Sequence, residues 1–103
     1  MANPSRLLDV NGNFRLGVNG TTVTNIIKVT INQNIASVPA NSTVGELFTV
    51  ANAALGSTVY ISPAVALANG LLIAYARVSA AGTVEVGFTN TTAGAINMTS
   101  MDY

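Results

Sequence analysis

Residues Thr83 to Thr89 alternate without a break. Val84, Val86 and Phe88 fall on one side, and Thr83, Glu85, Gly87 and Thr89 fall on the other. A period of two marks a β-strand with one buried face. The preceding run, Leu71 to Val78, places Leu71, Ile73, Tyr75 and Arg77 on one side and Leu72, Ala74, Ala76 and Val78 on the other. Apolar residues on both sides predict a central strand. Ser79-Ala80-Ala81-Gly82 fits a four-residue hairpin loop whose glycine can take positive φ. A lone hairpin cannot bury its own face, so the rest of the chain must supply a second layer.

Further strand signals precede this hairpin. Residues 26–31, IIKVTI, are rich in β-branched side chains, with Lys28 and Thr30 expected outward and Ile27, Val29 and Ile31 inward. A connection containing Pro39 leads to a strand over Val44–Ala51, then a turn at Ala53–Gly56 and a strand over Ser57–Ser62. The pattern predicts an all-β chain, an antiparallel β-sandwich (jelly-roll-like) or small barrel, with an N-terminal arm or hairpin. The expected core is Val29, Phe48, Val50, Val59, Ile61, Ile73, Val84, Val86 and Phe88.

The first residues differ from this body. Asn11-Gly12 and Asn19-Gly20 are hairpin-turn signals. The competing reading is an extended arm whose Leu7, Leu8, Phe14 and Leu16 seat on a neighbour, with Arg6 and Arg15 setting register. The organisation is therefore residues 1–17 as arm or hairpin and residues 18–103 as the β domain.

Composition narrows the function. Net charge is zero, only 8% of the 103 residues are charged, and His and Cys are absent. Ordinary soluble chains carry roughly 25% charged residues. No basic cluster suggests a nucleic-acid or anionic-membrane partner. The commonest general base and metal ligand is missing, as are thiolates, so no catalytic, metal or cofactor site is expected and the chain reads as a non-enzyme. Glu46 and Glu85 as a carboxylate pair across a sheet are set against the plainer view of two solvated positions. The uncharged interval Leu47–Ala76 is interrupted by Asn, Gly, Ser and Pro, which argues against a transmembrane helix. The N-terminus lacks the apolar core of a signal peptide, which places the chain in the cytoplasm until it assembles. Sequons at Asn19, Asn41, Asn90 and Asn97 read as turn residues. Tyr60, Tyr75 and Tyr103 are the aromatics available for stacking on a sugar. A surface of Thr, Ser, Asn, Ala and Gly tolerates burial against other subunits, because few charges need desolvating.

From Val18 to Tyr103 several segments carry a likeness: NGTTVTNIIK, VPANSTVGELFTV, LGSTVYISP, ALANGLLIAYARVSAAGTVEVGFTNTT and AINMTS. They resemble a group of small structural proteins of tailed bacteriophages. Relatives carry Asp and Pro where this chain has Ser57 and Met98, and they continue with a further apolar strand. The resemblance implies a β-sandwich virion component assembled in the host cytoplasm. The expected role is a capsid decoration or cement subunit, a homotrimer bound to the major capsid protein or another virion protein. A head- or tail-fibre module recognising a host glycan is the alternative, with a bacterial surface or pilus-like subunit a weaker third.

Overall fold

The computed structural model describes residues 10–103. Among these residues five strands form: β1 (Asn32–Gln33), β2 (Ser42–Thr49), β3 (Leu71–Ala80), β4 (Thr83–Asn90) and β5 (Met101–Asp102). No helix occurs among the described residues. The three long strands make an antiparallel sheet in the order β2-β4-β3, and the two short ones make a second antiparallel pair. Neither sheet closes on itself. The fold is all-β, as the alternation predicts.

The alternating strand β4 is the centre of the sheet, and β3 is an edge. This corrects the expectation of a central β3. The apolar residues on both its sides have another cause. Leu71 and Ile73 pair with Asn90 and Phe88, then the register shifts, and Tyr75 pairs with Gly87 and Ala76 with Val86. A β-bulge around Ala74 exchanges the two faces of the strand. Leu71, Ile73, Ala76 and Val78 therefore all turn to the core, while Tyr75 and Arg77 turn out. A second shift between Val78 and Ala80 shortens the expected loop to Ala81-Gly82, with Gly82 at φ 75°.

Phe88, Val86 and Val84 of β4 are buried together with Phe48 of β2, and Leu71 and Val78 of β3. The layer over them is not a broad sheet. It includes Ile35 and Val38 from the β1–β2 connection and half-buried Val59, Ile61, Ile96, Met98 and Tyr103. The Tyr103 ring meets Phe48 and Phe88 edge-on, with centroids 5.5 and 6.0 Å apart, a favoured geometry for aromatic rings.

Two expected strands do not form ladders. Among the described residues, no backbone hydrogen bond ties residues 25–30 or 58–62 to a neighbour. Pairing starts only at Ile31, which exchanges two 2.9 Å bonds with Tyr103. Val29, expected in the core, is consequently exposed, whereas Val59, Ile61, Val50 and Ile73 are half-buried against it. Residues 26–31 have strand composition, but no strand lies beside them to cover their inner face.

The loop after β4 is organised by Asn90, which is fully buried. Its Nδ2 donates to the Val38 and Gly94 carbonyls at 3.0 and 2.8 Å, and its Oδ1 accepts the Thr92 N–H at 2.8 Å. A buried amide is stable only when its donors and acceptor are met. Asn90 therefore staples the 91–94 loop and the Val38–Ile96 bridge onto the sheet end.

Candidate assembly surface

Of the residues expected to contact a neighbour, Arg6, Leu7 and Leu8 lie outside the described residues. The other three sit in a hairpin. Phe14 and Val23 exchange backbone bonds of 3.0 and 2.7 Å, and the chain reverses through Gly17 to Gly20. The Asn19-Gly20 signal thus marks a real turn, while Asn11-Gly12 borders residues that are not described. Phe14 is half-buried, Arg15 is exposed, and Leu16 and Val18 are 82% and 86% exposed. The hairpin does not gather these side chains into a pocket. It displays them.

The outer face of the sheet is a second surface. Leu47, Leu72 and Tyr75 are exposed around Gly45 and Gly87. Two cross-strand contacts cross the same face: Arg77 Nε donates to Glu85 Oε1 at 2.8 Å, and the Thr43 and Thr89 hydroxyls lie 2.7 Å apart. Such pairs contribute modestly to sheet stability. Glu46 is on the opposite face, where its Oε1 accepts the Ala36 N–H at 2.7 Å. Glu46 and Glu85 are therefore separated by the sheet and form no carboxylate pair.

The third surface was not legible in the sequence. Residues 25–31 and 57–62 form the walls of a cleft of about 720 Å³. Phe48, Val50, Val78, Val84 and Tyr103 line it as well, so it opens directly onto the core. Lys28 is its sole charged lining residue, and no carboxylate lines it. Apolar, weakly charged and open, it offers neither a general base nor a metal-ligand set. No cluster of three or more His, Cys, Asp or Glu occurs among the described residues. The signal that could have pointed here was a surplus of strand-forming segments over partners to pair them.

The four sequon asparagines differ in setting. Asn41 takes a left-handed turn conformation at φ 51°, and Asn90 is consumed by the bonds described above. Tyr60 is 95% exposed, and Tyr75 packs over Gly87. No helix among the described residues is long and apolar enough to cross a membrane. No known protein family, curated protein or solved structure matches this chain.

Proposed function

We propose that this chain is a structural subunit of a bacteriophage virion, a decoration or cement protein that associates with its own kind, as a trimer, and with the capsid. The carrying observation is the surface. Val18, Leu16, Leu55 and Tyr60 are largely exposed on a chain in which only 8% of residues are charged. A dispersed monomer normally keeps a mixed charged exterior, whereas a surface destined for burial does not. The sequence likeness to phage structural proteins gives the partner class. In this reading the open second layer is completed on assembly, which turns the two open sheets into a sandwich.

Tyr60 favours a second reading, a fibre module that stacks a host glycan on an exposed ring. Copy number separates the two. Densitometry of purified particles containing this chain should show hundreds of copies for a decoration protein and a few to tens for a fibre. Absence from purified particles overturns both.

A further inference from the structure

Resting on that assembly reading, we infer that the cleft between residues 25–31 and 57–62 is a strand acceptor, filled by residues 10–18 of a second copy of this chain.

The cleft has the attributes of a missing strand's place. Both walls are segments of strand composition in which the backbone groups of residues 25–30 and 58–62 find no backbone partner among the described residues. Its far end is already occupied by a strand: Tyr103 bonds to Ile31 on one side, and Asp102 accepts the Ala64 N–H at 2.8 Å on the other. A strand laid into the cleft continues that line and meets both walls. Backbone groups without a partner among the described residues, beside apolar side chains, are what an added polypeptide strand pairs with.

The donor is present in every copy. Val10, Gly12, Phe14, Leu16 and Val18 occupy even positions, and Asn11, Asn13, Arg15 and Gly17 the odd ones. That is the pattern of a strand with one apolar face, yet in this chain Val10, Leu16 and Val18 face solvent. Among the described residues, the segment is held by the two Phe14–Val23 bonds and the turn bond from the Gly20 N–H to the Gly17 carbonyl. Exchanging two hydrogen bonds for a ladder on a second copy is the low-cost route by which identical chains swap elements. Each copy then carries one donor and one acceptor, so the exchange closes as a pair or a ring where the rotation between copies permits.

The chain lacks cysteine, which permits a direct test. Full-length Leu16→Cys and Ile27→Cys variants are mixed and mildly oxidised, and products are read on a non-reducing gel. The expected result is mixed disulfide dimers several-fold in excess of those formed by either variant alone. No excess overturns the inference, as does closure of a Leu16→Cys/Ile27→Cys double variant only within single chains. Val18→Asp, at an exposed position, should abolish self-association in sedimentation while leaving the folded monomer's circular dichroism intact. Persistent association of this variant overturns the inference too. A wild-type chain that is monomeric throughout, yet present in particles, would sink the strand exchange and leave the virion reading standing. Mixed crosslinks in a chain absent from particles would do the reverse.

Discussion

The ring of Tyr75 lies over Gly87 on the adjacent strand, in the space where any other residue would place its Cβ. The two are register partners, and a Cβ at Gly87 would overlap Cε1 and Cδ1 of the ring. Glycine weakens a strand interior by leaving nothing to pack, and an aromatic ring laid across it from a neighbouring strand restores that contact. The bulge near Ala74 is what turns Tyr75 to this face.

Gly87→Ala should therefore destabilise the sheet by about 1–3 kcal/mol, since the ring must leave its place. In a Tyr75→Ala background the same change should cost little, because the obstruction is gone. A denaturant double-mutant cycle should return a coupling of about 0.5–3 kcal/mol between the two positions. Additive effects would show that the ring does not pack on the glycine.

Phe88 is fully buried and meets the Tyr103 ring edge-on. Phe88→Ala should cost about 3–5 kcal/mol, a large share of the stability of a domain this size. Chemical denaturation measures it, and a loss under about 1 kcal/mol would contradict the burial.

The inner face of β4 could be read from the sequence because period two survives wherever one face is buried and the other is wet. Phe48, Val84, Val86 and Phe88 carry that signal. β3 misled for a physical reason: a bulge inserts one residue and reverses the alternation, so Ile73 and Ala76 share a face that a strict period denies them. Val29 misled differently. Residues 26–31 have the composition of a strand, but composition does not supply the neighbouring strand that would bury them. The cleft is the consequence, and it escaped because pockets arise from what fails to pair. Asn90 looked like one polar residue among many. Its role depends on the Val38 carbonyl, 52 residues away, meeting its amide.

Asn90→Ala should remove one of two donors from each of the Val38 and Gly94 carbonyls, which keep the Ile96 N–H and the Thr92 hydroxyl, and should take the acceptor from the Thr92 N–H. A cost of about 1–3 kcal/mol is expected from the loss of these hydrogen bonds at a buried position. Hydrogen exchange should show the Ile96 amide, bonded to the Val38 carbonyl at 3.0 Å, losing protection ahead of β4. Unchanged stability would mean that the loop is held by other contacts.

Tyr103 offers a pH test. Burial, and secondarily the Glu46 carboxylate, raise the pKa of its phenol above the ordinary tyrosine value. Below about pH 10 the phenol is protonated in both folded and unfolded chains and contributes no pH dependence. Above it the unfolded chain ionises first, so stability falls as pH rises until the folded phenol also ionises. Its hydroxyl is buried without a hydrogen-bond partner among the described residues, so Tyr103→Phe should gain about 1 kcal/mol at neutral pH. The same variant should lose less stability on going from pH 9 to pH 11 than the parent. Identical alkaline profiles would remove Tyr103 as the cause.

Deleting residues 2–17 tests whether the arm belongs to the fold or to the assembly. Among the described residues of that segment, only Phe14 is even half-buried, and its backbone bonds go to Val23 rather than to the sheet. The β2-β4-β3 sheet draws its buried side chains from residues 35 to 101. At concentrations where the chain is monomeric, the deletion should shift stability by no more than about 0.5 kcal/mol, a melting change of roughly 2–4 °C. Self-association is another matter. An arm ordered on contact loses roughly 1–2 kcal/mol of conformational freedom per residue fixed. Its apolar side chains offset that at roughly 25 cal/mol for each Å² buried. Large residues such as Leu16 and Val18 barely suffice for one arm, so the association gains from reciprocal exchange, in which each copy contributes a donor. The truncated chain should then melt at a temperature independent of concentration, whereas the full chain's melting temperature should rise with it. Loss of the fold on deletion would make the segment a strand pair of the domain itself, and the arm would not be an assembly element at all.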